Sequence, residues 1–387
     1  MAHLPQYDDR FPSTVSFLTL TRQVRLTGIK PVRRLDGMDP ANPPTVPSLF
    51  DLNMTPTTLA ARLSVALLTM GALAAAGTAR AEEKHLAVML QNDVFAGTDG
   101  GGYTNGLAVA YIRSTTPGET ALAPDWLLAP VAPWLAVGPA AMTSISLNQV
   151  MITPRDITTK EPNPMDAPYL GALWVRAAQV SVQGDVADMF SLNLGMIGPA
   201  SGARQAQTFI HRITGSTRPQ GWDSQVSNRL LYGIERYRAV RFASGDGDSA
   251  APSLDAIVLG GGEAGNMLSS LGGSMMLRYG TSLKHSYASS VRQLARSGDP
   301  LIFGRGWMVY LAVHGDHFFS HAGISNDLPP GGTRAELRES QLIGQAGIAY
   351  GWGDSSLSFS LQNTSALTTG SGRRKAYGSL TYTTALR

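Results

Sequence analysis

The sequence predicts an all-β protein: a transmembrane antiparallel β-barrel of about twelve strands, with short helical excursions at the extracellular rim. Three observations predict it. Many segments alternate apolar and polar residues with period two, an export leader is followed by no second long apolar run, and the final segment is itself strand-like. FSLNLGMI places Phe190, Leu192, Leu194 and Met196 on one face and Ser191, Asn193 and Gly195 on the other. LSFSLQ sets Leu357, Phe359 and Leu361 against Ser358 and Ser360, and WMVYLAV aligns Trp307, Val309, Leu311 and Val313. Period two marks strands with one apolar face. A soluble β-sandwich alternates as well. Export, the absence of disulfides and a last strand, YGSLTYTTAL (377–386), suited to closing on the first favour the barrel.

Composition agrees. The chain has 387 residues, of which 43% are hydrophobic and 15% charged, well below the ~25% charged content of ordinary soluble domains. With 42 glycines, this is a β-rich chain solvated by Ser, Thr, Asn and Gln rather than by ion pairs. A net charge of +3 without a dense basic stripe is too small to imply nucleic acid, and none is expected as a partner. There are no cysteines, so disulfides and thiolate metal sites are excluded.

Residues 1–53 are rich in Pro, Arg and turn residues with no sustained apolar period, and they are expected to be disordered. From Met54 the text changes. MTPTTLAARL carries one positive charge, SVALLTMGALAAAG is an apolar run of 14 residues, and TARA ends in the small residues Ala79 and Ala81. That is the three-part pattern of a secretory signal peptide, and the run is too short to span a bilayer. The expected division is therefore a non-native extension from a misassigned start (1–53), a signal peptide (54–81) and an outer-membrane barrel (82–387). The exported product is expected to begin near Glu82.

The stretch QNDVFAGTDGGGYTNG (91–106) lies between two strand-like segments, LAVML (86–90) and LAVAYIR (107–113). It gathers Asn92, Asp93, Asp99, Thr104 and Asn105 around Gly97, Gly100, Gly101 and Gly102. Calcium takes six to eight oxygen ligands from carboxylates, amides and carbonyls, and this loop supplies that mixture. A polar hairpin loop is the plain alternative. If the first strand keeps its phase, Leu86, Val88 and Leu90 share a face with Asn92, so an apolar wall runs up to a polar site. Further on, GPASGARQAQTFIHRITGSTRPQGWDSQ (198–225) breaks the strand rhythm. SGARQAQTFIHRITG suits a short helix, Trp222 an anchor, and His211 a general base near neutral pH.

Other motifs carry less. Gly260, Gly262 and Gly265 match G-x-G-x-x-G, but no amphipathic helix follows, so they read as a strand end and tight turn. His314, Asp316, His317 and His321 form a rival set better suited to zinc or copper; they read as a polar rim after a strand. No G-x-S-x-G elbow is present.

The pairing of ND-x-F-x-GTD…YTNG with GxIGP…HR-x-x-G…GWD-x-Q resembles the outer-membrane lipid A 3′-O-deacylase family of the LpxR type, across the whole stretch 82–387. The resemblance implies a twelve-stranded outer-membrane barrel acting as a Ca2+-dependent carboxylic ester hydrolase that removes the 3′-linked acyloxyacyl chain of lipid A. The family's Asn-Asp pair falls on Asn92 and Asp93, its threonine on Thr104, its histidine on His211, and its lysine, across a one-residue gap, on Lys160. The scheme implied has His211 deprotonating a water, Asp93 and Asn92 holding Ca2+, and Thr104 and Lys160 orienting water or holding a lipid A phosphate. Three positions depart from the family pattern: Thr217 where a glutamate is expected, Ala167 where an arginine is expected, and a Leu386-Arg387 end in place of a terminal aromatic. The expected partners are lipid A or lipopolysaccharide and outer-membrane lipids, with the chain a monomer. Alternatives are a catalytically impaired barrel with a structural or pore role, and an outer-membrane phospholipase.

Overall fold

In the computed structural model the described residues are 82–96, 102–115, 122–131, 138–243, 251–295, 300–324, 335–368 and 375–386. The expected extension (1–53), the expected signal peptide (54–81) and Asp99 lie outside them. All belong to the unit 55–387.

Twelve strands run β1 (Glu82–Asn92), β2 (Gly102–Thr115), β3 (Ala140–Thr153), β4 (Leu170–Gln183), β5 (Val186–Ile197), β6 (Arg229–Ala243), β7 (Ser253–Gly265), β8 (Leu268–Gly280), β9 (Gly306–His321), β10 (Ser340–Trp352), β11 (Ser355–Thr364) and β12 (Lys375–Leu386). Each pairs with its chain neighbours, and β1 pairs antiparallel with β12, from Lys84 opposite Leu386 to Asn92 opposite Gly378, closing the barrel. The described residues also form two α-helices, α1 (Ala203–Thr214) and α2 (Tyr287–Leu294).

The period-two pattern decides which side is which. Leu194, Leu311, Leu357 and Tyr382 stand exposed on the outside, while Ser191, Ser358, Ser360 and Thr381 are buried inside. An apolar exterior around a polar interior is the arrangement a lipid bilayer requires, since closure leaves no unpaired strand edge in hydrocarbon. No described helix is long and apolar enough to cross a membrane; the crossing is made by strands. Outward aromatic pairs, Tyr279 with Trp307 and Tyr350 with Trp352, form part of an interfacial girdle at the end that carries the tight turns at residues 184–185 and 353–354. Short turns belong to the periplasmic side of such barrels. The opposite end, where β1 finishes and β12 starts, is extracellular.

Two features of the interior were not expected from sequence. Arg176 and Glu235 form a buried ion pair, and Asn193 Nδ2 donates to Glu235 at 2.9 Å. Below them α2 enters the lumen. Leu283, Tyr287, Val291 and Leu294 recur at three or four residues, a helical spacing, and pack with Leu301 and Phe303 against inward Ala87, Met189, Ile257, Met276 and Met308. Arg278 laces the helix to the wall, donating to Asp255 and Ser290, each at 2.8 Å. The helix thereby packs across the lumen in its periplasmic half, and a cavity lined by Lys84, Tyr287, Phe303 and Thr383 opens beside it at the periplasmic mouth.

Two motif readings are corrected. Gly260 and Gly262 lie inside β7, whose pairing continues to Gly265, so only Gly265 ends a strand. The histidine-rich run is not a rim after a strand but part of β9 itself. Period two turns His314 into the lumen, where Ser274 lies 2.9 Å from its Nδ1, and leaves His317 exposed outside. Among the described residues no group of three or more His, Asp or Glu is placed to hold a metal.

Candidate functional site at the outer rim

The lipid-facing phase of β1 runs through Leu86 and Leu90, the latter 47% exposed, and its next member is Asn92. The β1–β2 register sets Asn92 opposite Asn105, and Asn92 Nδ2 donates to Asn105 Oδ1. Asn105 shares the outward phase of Leu107, yet it is only 7% exposed. Its β3 partner Met151 is also outward and buried, packed beneath Tyr169, Ala203 and Trp222. A polar pair therefore sits on the lipid side of the wall beside a patch roofed by protein. The β2–β3 register shifts between Tyr103 and Asn105, a bulge at Thr104; bulges are common beside active sites, where they re-aim side chains. The Thr104 side chain lies outside what is described. Asp93 opens the single helical turn Asp93–Ala96 just beyond β1.

The roof is the excursion 198–228, on the same extracellular end. Helix α1 is seated by its N-terminal half. Ala203 lies against β4, where Gly171 leaves room that a Cβ would fill by colliding with Ala203 and Ser201. Outward Gln149 of β3 donates to the Ser201 carbonyl at 2.7 Å. Trp222 Nε1 donates to Gln207 Oε1 at 2.7 Å, and its ring lies 4.9 Å from that of Tyr169. Trp222 is thus the anchor its sequence position suggested. Burial pushes the Tyr169 phenol upward. The β3–β4 loop joins the same cluster, with Gln220 N–H donating to the Ile157 carbonyl at 2.8 Å; the exposed Lys160 belongs to this loop. The free flank of α1 is apolar, with Phe209 61% and Ile213 68% exposed.

His211 sits in the last turn of α1. The helix ends at Gly215, whose φ of 69° is the left-handed conformation that closes many helices. Both Gly215 and Ser216 donate their N–H to the His211 carbonyl. This turn brings the Thr217 carbonyl to His211 Nδ1, 2.5 Å away. A carbonyl only accepts, so Nδ1 carries a proton, and in the neutral ring the lone pair is left on Nε2. That is the protonation state a general base needs. The departure at Thr217 has a structural counterpart here: the main chain of that residue supplies an orienting contact to the histidine. At the other departure, Ala167, the neighbouring Asp166 carboxylate accepts from the main-chain N–H of Arg155 at 2.9 Å.

Asn92, Asp93, Lys160 and His211 accordingly all stand at the extracellular end of the barrel. Lys375, the first residue of β12, joins them, within electrostatic reach of Asp93, Asp166 and Arg155. Sequence reasoning missed it because only barrel closure brings β12 beside β1. Asn105 was visible as an oxygen-bearing loop residue, but its bond to Asn92 is set by register. For a Ca2+ ion the donor chemistry fits: Asn92 and its neighbour in sequence, Asp93, are an amide and a carboxylate, both hard oxygen donors.

Comparison with known proteins agrees with the barrel fold. The family described as "Outer membrane protein LpxR" matches residues 62–386. LpxR from Salmonella typhimurium is similar in structure, with a TM-score of 0.64 at 17% identity over 78% of this chain and 99% of that one. The translocator domain of the autotransporter NalP from Neisseria meningitidis matches at a TM-score of 0.35 and 11% identity, covering 86% of this chain and 97% of its own. Comparison with curated proteins finds no match.

Proposed function

The chain belongs to the LpxR outer-membrane protein family, and from that premise we propose that it is a Ca2+-dependent esterase removing the 3′-linked acyloxyacyl chain of lipid A. The feature that supports the proposal is an oriented histidine, His211, in the excursion at the same end of the barrel as Asn92 and Asp93. In this scheme His211 Nε2 accepts the proton of a water as it attacks the ester carbonyl. The Thr217 carbonyl holds Nδ1–H and favours the imidazolium that forms. Asn92 and Asp93 are the protein's ligands to Ca2+. When bound, the ion supplies positive charge that polarises the ester carbonyl. Thr104 serves to orient water. Lys160 offers a cation at the rim for a phosphate of lipid A. Phe209 and Ile213 give α1 an apolar flank for the acyl chains of the substrate.

The packing of α2 inside the lumen favours an enzymatic reading over a pore. Mass spectrometry of lipid A from cells with and without the protein tests the proposal. The expected result is loss of one acyloxyacyl unit. Unchanged lipid A accompanied by released lysophospholipid would replace it with a phospholipase, and no lipid change would leave a structural barrel.

A further inference from the structure

A charged patch stands on the lipid-facing side of the wall, at the other end of the barrel from the site above. Arg236 and Arg238 of β6 share the outward phase of Ile234 and Phe242, and are 42% and 66% exposed. Both guanidinium groups bind one carboxylate, Asp188 of β5. Arg236 Nη2 donates to it at 2.7 Å, and Arg238 donates through Nε and Nη2 at 2.9 and 3.0 Å. Arg236 Nη1 also donates to the carbonyls of Met189 and Tyr237, at 3.2 and 2.9 Å. Two cations and one anion leave a net positive charge facing lipid.

Such a charge is costly at the bilayer midplane and tolerable near the interface. Asp188 lies three residues beyond Asp185 in the tight periplasmic turn, which sets the patch near the headgroups of the periplasmic leaflet. The next strand leaves it uncovered. Opposite Arg236 and Arg238, β7 carries Gly262 and Gly260, and a Cβ added at Gly260 would meet nothing within 4 Å. Gly260 thus keeps the approach to Arg238 clear, while the Leu271 side chain of β8 lies over Gly262 opposite Arg236.

We infer that Arg236 and Arg238 bind the phosphate of an anionic glycerophospholipid in the periplasmic leaflet, with its acyl chains lying upward along Ile234 and its β7 neighbour Ala264. The planar donor fork of arginine matches phosphate oxygens in pairs, and the excess positive charge supplies complementarity that a zwitterionic or uncharged lipid would use less well.

The test is native mass spectrometry of the folded barrel in detergent with added phosphatidylglycerol, with diacylglycerol as a control. The wild-type protein is expected to retain phosphatidylglycerol about tenfold better than the R236Q/R238Q double variant, while diacylglycerol retention is the same in both. Asp188→Asn, which removes the competing carboxylate, is expected to raise phosphatidylglycerol retention. R238Q alone provides a milder loss should the double variant fail to show heat-modifiable migration. Equal retention by wild type and R238Q would overturn the inference, as would equal retention of diacylglycerol and phosphatidylglycerol. So would a wild-type dimer that the arginine substitutions convert to monomer without any change in bound lipid, because a second copy would then be the occupant.

Discussion

On the lumen side of the wall, Arg176, Glu235 and His314 are buried and bonded to neighbouring side chains, above a helix that packs across the lumen beneath them. On the outer side, at the rim of β1 and β2, Asn92 and Asn105 hold each other in line with the exposed Leu86, Leu90 and Leu107. Polar groups in the lumen are what any outer-membrane barrel has, because half of every strand must face away from lipid. Polar groups on the lipid face have no such default. Their presence there, beside a roof that carries an oriented histidine, is what separates a site from a solvated interior. An ionisable cluster inside the barrel is the more conspicuous feature, yet the outer rim is where a membrane lipid can arrive.

That contrast is open to breakage. The largest expected effect is at His211: His211→Ala is expected to lower lipid A deacylation by about 10²–10⁴-fold, with heat-modifiable migration on gels unchanged. His314→Ala, its counterpart in the lumen, is expected to leave activity within about twofold. The opposite ranking would place the chemistry inside. Chelation comes next. Excess chelator is expected to abolish deacylation and added Ca2+ to restore it, and Asp93→Asn to raise the Ca2+ needed for half-maximal activity by about tenfold, as loss of a charged ligand should. Full activity in chelator removes the metal from the scheme. Trp222→Ala tests the roof. Truncating a buried tryptophan costs about 3–5 kcal/mol, here mostly local to α1. Limited proteolysis is expected to cut within residues 203–228 while the barrel remains intact, and activity to fall with the cutting rate.

Much of the barrel could be read from the chain because period two is a local property. Leu86, Val88 and Leu90 share the outer face with Asn92 as their spacing predicts, and the helix around His211 follows from a run that breaks alternation and stops at Gly215. The plug was also written locally, in the spacing of Leu283, Tyr287, Val291 and Leu294, although its place inside the lumen was not. What the sequence hides are contacts made by closure and by backbone atoms. Lys375 reaches Asp93 only because β12 pairs with β1. The periplasmic segment around Leu128 folds back over the outside of Ala177 and Phe190, a contact for which no spacing rule exists. The partner of His211 is a main-chain oxygen, and residue type says nothing about where a carbonyl will point.

The smallest effect concerns that carbonyl and is the most discriminating. If the side chain at 217 mattered, Thr217→Ala would cost activity; if the main chain does the orienting, the substitution is nearly silent, within about twofold. Gly215→Ala should behave differently. Nothing lies within 4 Å of a Cβ added there, so no clash arises, and the cost is that of forcing a side-chain-bearing residue to φ 69°, about 1–2 kcal/mol. Relaxing that strain unwinds the cap and draws the Thr217 carbonyl away from Nδ1, letting the proton move to Nε2, where the base is needed unprotonated. Deacylation is therefore expected to fall by about five- to thirtyfold in Gly215→Ala, with Gly215→Asn, a residue that tolerates this backbone region, recovering part of the loss. If Thr217→Ala proves as damaging as Gly215→Ala, the orienting group is the threonine hydroxyl and the main-chain account fails.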